Sequence, residues 1–175
     1  HDHTHIKDPG ALSKVTALVG TGAAKVDKKL LMMLPNVKLI AICGVGYDGV
    51  DVAAAKEKGI VVTHTPGVLT DDVADLAMGL VLSIGRRIPQ ADKFVRNGDW
   101  VDDAFALTHK VSGARLGIVG MGRIGRAIAK RAAAFDMSIA YTGRQAKNDV
   151  PYVFYKTATE LAAAVDYLVV AVPGG

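Results

Sequence analysis

Six residues, Gly120-Met121-Gly122-Arg123-Ile124-Gly125, constrain this chain more than any other feature. A bare G-x-G-x-x-G is a weak signal. Here it follows an apolar run, Leu116-Gly117-Ile118-Val119, and opens a segment whose Ile124, Ile128, Ala132 and Phe135 fall on one helical face. Strand, turn and helix in that order are the setting in which the pattern binds a dinucleotide. Gly120 permits the tight turn, Gly122 lets backbone approach a pyrophosphate, and Gly125 lets the helix pack against the strand. The helix N-terminus then offers amide N–H groups and partial positive charge to the phosphates.

The rest of the chain repeats the same alternation. Apolar runs at 15–19, 37–43 and 60–64 read as strands, with helical runs at 27–34 and 51–58 between them. Gly59 sits at the C′ position of the second helix. A further series follows: strand 116–119, helix 122–135, strands 138–142 and 152–154, helix 158–165, strand 167–172. Continuous apolar strands linked by helices imply α/β architecture, with parallel sheets covered on both faces. Between the two series, 70–87 is apolar nearly all round after Asp75, which predicts a helix buried on most sides and packed between two lobes. Asp71, Asp72 and Asp75 suit the positive end of its dipole better than a metal site. Residues 89–97 read as a shorter helix and 100–110 as a loop. The boundaries are residues 1–70 for the first lobe and 71–175 for the second. Two β-α-β units do not complete a dinucleotide-binding sheet, and three strands make a thin domain, so the sequence reads as the interior of a longer protein.

Composition removes several classes. Lys and Arg exceed Asp and Glu by 21 to 17, a net +4, but the cations are scattered and aromatics are only 6%. That fits small anionic ligands and argues against nucleic acid. The first residues are polar, with no signal peptide, and no apolar stretch approaches the length of a membrane span. The single cysteine excludes an internal disulfide or a Cys-rich zinc site. Cys43, in an apolar run, is expected reduced in a core, consistent with a cytoplasmic protein. No metal site is expected; His1, His3 and His5 belong to a frayed terminus.

The end of the strand after the glycine turn discriminates between dinucleotides. An NAD site usually places Asp or Glu there for the ribose hydroxyls. This chain has Tyr141-Thr142-Gly143-Arg144-Gln145 and no carboxylate until Asp149. Arg144 stands where a 2′-phosphate would sit, and a guanidinium holds phosphate bidentately; Lys147 adds charge. NADP is favoured over NAD. The second glycine turn, Gly44-Val45-Gly46-Tyr47-Asp48-Gly49, ends a parallel strand, where open α/β sheets bind ligands and where successive N–H groups can cradle a carboxylate. Composition alone leaves a structural turn equally open.

Taken with Thr65-Pro66-Gly67-Val68-Leu69-Thr70-Asp71-Asp72-Val73-Ala74-Asp75, these two turns resemble the D-isomer-specific 2-hydroxyacid dehydrogenases from about Val15 to Gly175. Residues 141–145 look most like the glyoxylate/hydroxypyruvate reductase branch, which uses NADPH. The resemblance implies a truncated flavodoxin-like substrate lobe and an incomplete Rossmann cofactor lobe. It implies that the backbone of Val45 and Gly46 holds the substrate carboxylate, with Leu69 and Thr70 near the nicotinamide. Gly120, Gly122, Arg123, Ile124 and Gly125 would serve the pyrophosphate, Gly143, Arg144 and Gln145 the 2′-phosphate, and Val172 and Pro173 the adenosine side. A homodimer is implied too, formed around 77–110, where Trp100, Val101, Phe105 and Leu107 put apolar side chains into a loop.

The activity implied is reduction of a small 2-keto acid, glyoxylate or hydroxypyruvate, to the D-2-hydroxy acid. The family's catalytic Arg, Glu and His fall after the last residue of this sequence, so no catalytic residue is assigned within it. His64, where the family commonly has Asn, and His109 are expected to be structural or surface residues. Alternatives are a phosphoglycerate or D-lactate type dehydrogenase, or a dinucleotide-sensing protein like the corepressors on this scaffold. Arg144 without a strand-end acid counts against the last.

Overall fold

In the computed structural model, which describes residues 9–173, the chain divides into one unit ending at Leu69 and another spanning Thr70–Val172. The polar N-terminal histidines and the final Gly174-Gly175 lie outside the described residues.

The first unit runs α1 (Pro9–Leu12), β1 (Ala17–Thr21), α2 (Lys28–Met33), β2 (Leu39–Cys43), α3 (Val52–Glu57) and β3 (Val61–Thr63). Its strands are parallel in the order β1-β2-β3, with Leu18 beside Ile40 and Ile40 beside Val62. Aspartates start the two longer helices: Asp27 accepts from the Leu30 amide at 2.8 Å and Asp51 from the Ala54 amide at 2.9 Å. Such caps stabilise a helix by about 1 kcal/mol each. Gly59, at φ +68°, stops α3 in the left-handed conformation expected of it. Leu30 and Leu31 from α2, Ala54 and Ala55 from α3, and Ile40 and Ile42 from β2 share one core.

Three expectations need correction here. The first strand, read from the sequence at 15–19, runs on through Gly20 and Thr21, because they pair with Ile42 and Cys43 of β2. Among the described residues only one face of this sheet is covered. Alternation along β2 turns Ile40 and Ile42 into the core and leaves Leu39 and Cys43 exposed, and Val19 (83% exposed) and Val61 (57%) are exposed as well. Cys43 is therefore not a core residue. Strand period two sends residues 40 and 43 to opposite faces, which hydropathy of the run alone does not reveal.

The second unit runs α4 (Thr70–Arg86), α5 (Ile88–Arg96), a 3-10 turn (Asp99–Val101), β4 (Arg115–Val119), α6 (Arg123–Ala133), β5 (Ser138–Thr142), β6 (Val153–Tyr155), α7 (Ala158–Ala164) and β7 (Tyr167–Val170). The sheet is parallel in the order β6-β5-β4-β7. Chain order reverses at β4, which pairs with β5 on one side and β7 on the other; ligands bind at such a switch point, beyond the C-terminal strand ends. Leu116, Ile118 and Tyr141 from the sheet, Ile128, Ala129 and Ala132 from α6, and Ala74, Met78 and Val81 from α4 form the core. Thr157 and Glu160 make a reciprocal capping box at α7, a T-x-x-E signal present in the sequence.

Helix α4 departs from the all-round burial its composition suggests. Ala74, Met78, Val81 and Gly85 are buried, whereas Leu76, Leu80 and Ile84 are exposed. Gly85 has no room for a side chain: a Cβ there would stand 2.5 Å from the Tyr167 hydroxyl and 2.7 Å from Val111. Near the other end, Arg131 of α6 reaches the carboxylates of both Asp71 and Asp75, at 3.0 Å and 2.5 Å. These aspartates thus tie two helices together besides opening one. Among the described residues no helix is long and apolar enough to cross a membrane, and no cluster of His, Cys, Asp or Glu is arranged to hold a metal ion.

Candidate functional site

The turn after β4 is suspended from both neighbouring strands. Gly120 N–H donates to the Thr142 carbonyl at 2.9 Å, and Ala171 N–H donates to the Val119 carbonyl at 2.8 Å. Gly120 has φ +100°, and a Cβ on it would lie 2.5 Å from the Ala171 carbonyl oxygen and 2.7 Å from Val172. The turn and the end of β7 therefore meet at the switch point, with Val172 beside Gly120. A Cβ at Gly125 would lie 2.0 Å from the Gly120 carbonyl oxygen, so the first turn of α6 sits directly on the loop. Gly122, the N-cap of α6, differs: a Cβ there meets nothing within 4 Å. Open space over Gly122, at a helix start whose first amides lack intrahelical partners, fits a pyrophosphate. Arg123 is exposed beside it and Ile124 is half-buried.

The loop after β5 lies on the next strand of the same edge. Gly143, Arg144 and Gln145 are all exposed, and a Cβ at Gly143 would meet nothing within 4 Å. Two further residues, not evident from the sequence as parts of a site, organise this loop. The hydroxyl of buried Tyr141 accepts the Lys147 N–H at 2.7 Å. Arg126 of α6 donates to both Asp149 oxygens at 2.9 Å and holds that carboxyl below the usual range. Arg126 and Asp149 are 23 residues apart, and only the β4–α6–β5 topology brings them together. The strand end before the loop carries no acidic side chain.

In the first unit, the turn after β2 is built against the chain that precedes α2. A Cβ at Gly22 would lie 2.3 Å from the Gly46 carbonyl oxygen, and one at Gly49 would lie 2.3 Å from that of Ala24. The Gly44 N–H donates to the Thr65 hydroxyl at 2.9 Å, and the Thr65 N–H donates to the Gly44 carbonyl at 2.9 Å. Val45 and Gly46 are exposed, and their N–H groups have no hydrogen-bond partner among the described residues. Two adjacent free amides on a rigid turn suit a carboxylate. His64 is bound into this turn: its Nδ1 is 2.9 Å from the Val45 carbonyl oxygen, and its ring meets Tyr47 edge-on at 5.0 Å. Leu69 is exposed and ends this unit, while Thr70 begins α4.

A cavity of about 610 Å³ lies elsewhere, at the N-terminal ends of β4 and β7, lined by Ile84, His109, Lys110, Ala114, Asp166 and Tyr167. It is at the opposite end of the strands from the glycine turn. Beside it Arg115 grips Asp166 through its guanidinium and its own N–H, which lowers the Asp166 carboxyl to about 2 and raises the Arg115 pKa. His109 donates its backbone N–H to the Gly85 carbonyl, and its place in a loop is as expected.

Comparisons with known proteins place the chain in a family. The family model described as D-isomer specific 2-hydroxyacid dehydrogenase, catalytic domain, matches residues 7–168. Glyoxylate/hydroxypyruvate reductase A of Arabidopsis thaliana is 49% identical over 161 residues, covering 92% of this chain and 51% of that protein. Hydroxyphenylpyruvate reductase of Plectranthus scutellarioides is 49% identical over 159 residues, covering 91% and 51%. The crystal structure of an NADPH-dependent glyoxylate/hydroxypyruvate reductase from Sinorhizobium meliloti, in complex with NADP and malonate, superposes with a TM-score of 0.87 at 41% identity. It covers 96% of this chain and 54% of that one. The chain thus spans about half the length of the curated relatives it matches.

Proposed function

The chain belongs to the D-isomer-specific 2-hydroxyacid dehydrogenase family, which binds a nicotinamide dinucleotide, and on that premise we propose that its protein reduces glyoxylate or hydroxypyruvate to the D-2-hydroxy acid with NADPH. The observation that carries the cofactor choice is Arg144, exposed after β5 beside an open Gly143, on a strand end without an acid.

We assign residues 1–70 to the substrate lobe and 71–175 to the cofactor lobe. The Val45 and Gly46 N–H groups hold the substrate carboxylate and so orient its 2-keto carbon. Thr65 and His64 keep that turn in place through Gly44 and Val45. The N-terminus of α6 at Gly122, Arg123 and Ile124 binds the pyrophosphate, and Arg144 with Gln145 takes the 2′-phosphate. Leu69 and Thr70 lie near the nicotinamide side, and Val172 and Pro173 line the adenosine side. When bound, NADPH supplies the hydride that the keto carbon accepts. The Arg, Glu and His that polarise and protonate the keto oxygen in this family are assigned to no residue of this chain. We place the protein in the cytoplasm as a homodimer. The exposed Trp100, Val101 and Leu107 supply apolar contact surface, whereas Phe105 packs on Phe94 of its own α5.

The test is steady-state turnover by the intact protein with glyoxylate, hydroxypyruvate, pyruvate and 4-hydroxyphenylpyruvate, each with NADPH and NADH. The last substrate addresses the second reading that the Plectranthus relative favours. Preference for glyoxylate or hydroxypyruvate is expected, and no turnover of any 2-keto acid would favour a dinucleotide-sensing protein. Arg144→Ala is expected to weaken NADPH about thirty- to a hundredfold and NADH little. Equal losses would return the cofactor to undecided.

A further inference from the structure

We propose that Arg126 is a specificity-determining residue for the 2′-phosphate: it takes up Asp149, the one carboxylate of loop 143–152, and so leaves Arg144 and Lys147 free to hold the phosphate. This rests on the assignment of NADPH to that loop.

The loop carries two cations, Arg144 and Lys147, and one anion, Asp149. Asp149 lies two residues from one cation and five from the other. Left alone, it would pair with them and repel an incoming phosphate. Arg126 prevents this by donating to both carboxylate oxygens from outside the loop. Among the described residues the side chains of Arg144 and Lys147 make no hydrogen bond or ion pair. Lys147 still attracts the Asp149 carboxylate weakly, which marks it as the competing partner. Arg126 is not needed as a fastener, because Tyr141 already secures the middle of the loop through the Lys147 N–H. What it contributes is neutralisation of a charge of the wrong sign. Arg126 is thus a positioning residue that acts through its neighbours.

The experiment titrates NADPH and NADH, at fixed salt, against the intact wild-type protein and Arg126→Ala, Arg126→Lys, Asp149→Ala, the Arg126→Ala/Asp149→Ala double variant and Arg144→Ala. Taken at a separation of about 10 Å in water, one carboxylate shifts the binding of a doubly charged phosphate roughly fourfold, and more where water is excluded. Arg126→Ala is therefore expected to weaken NADPH about three- to tenfold and leave NADH unchanged, with Arg126→Lys close to wild type. Asp149→Ala alone leaves NADPH undiminished, and in the double variant it restores what Arg126→Ala lost. A structural clasp would behave otherwise, with both single variants and the double equally impaired. That pattern, or an Arg126→Ala loss shared by both cofactors, overturns the proposal. If Arg144→Ala discriminates between the cofactors while Arg126→Ala does nothing, the NADPH assignment stands and the role of Arg126 falls. If Arg144→Ala does not discriminate, both fall.

Discussion

One methyl group added at Gly125, and one at Gly122, should separate folding from cofactor binding. At Gly125 the new carbon would lie 2.0 Å from the Gly120 carbonyl oxygen and 3.3 Å from Ile118. The first is roughly 1.4 Å short of ordinary van der Waals contact, and the neighbour is backbone, held by Gly120 N–H bonding to Thr142. Helix α6 must therefore ride up off its loop. Overpacking of this kind costs about 1–3 kcal/mol, against about 1 kcal/mol gained from Ala in a helix interior. The net loss, about 1 kcal/mol at mid-range and up to about 2 kcal/mol, lowers Tm in a unit of this size by about 5–10 °C. At Gly122 the same methyl meets nothing, and φ −84°, ψ −159° is open to any residue, so Tm should stay within a few degrees. That methyl nevertheless points into the space assigned to the pyrophosphate. Gly122→Ala should lose NADPH and NADH alike, by tenfold or more, because both carry that group. Thermal unfolding by circular dichroism and titration of each cofactor into the intact protein check both halves. A Gly122→Ala variant that binds like wild type would remove the pyrophosphate from this turn. A Gly125→Ala variant with unchanged Tm would refute the packing argument.

Tyr141→Phe removes the acceptor of the Lys147 N–H, at a cost of about 1 kcal/mol, and frees the Arg144 loop; NADPH affinity should fall more than NADH affinity, measured in the same titration. Asp166 titrates at about 2 in the folded chain, below the ordinary value near 4, so its contribution is present above about pH 4 and lost as pH falls through about 2. Tm should decline between pH 5 and 2, and Asp166→Asn should lower the neutral-pH Tm while flattening that decline; parallel curves would contradict this. If the 44–49 turn holds the substrate as proposed, His64→Ala should raise the KM for the keto acid about three- to tenfold without changing NADPH affinity, because the lost partner is the Val45 carbonyl of that turn.

How much of this was legible in the sequence depended on the range of the interaction. The glycine turn after β4, the limits of β5 and the aspartate that starts α2 follow from local chemistry, and the structure has them where the residues put them. Local signals also reach the capping box at Thr157, which was there to be read. They do not reach the Arg126–Asp149 pair, the Arg131 bridge to Asp71 and Asp75, or the hold of His64 on Val45, since each joins segments that only the fold brings together. Nor does an apolar run say which of its faces is covered. Helix α4 and strand β2 are apolar on both sides, yet each is buried on one. Periodicity, not mean hydropathy, separates Met78 from Leu80 and Ile42 from Cys43.

Cys43 turns that uncovered sheet face into an instrument. It is the sole thiol of the sequence, it stands on the face that also shows Val19 and Val61, and it is the residue immediately before Gly44 of the turn proposed to hold the substrate carboxylate. Alkylation kinetics at this single atom report whether that face is open or covered. A reagent that consumes it within minutes finds bare sheet, and protection that disappears only in denaturant marks a cover. A fluorophore placed there would also sit near the amides of Val45 and Gly46, and a signal on adding a 2-keto acid would test the proposed carboxylate site without any turnover being needed.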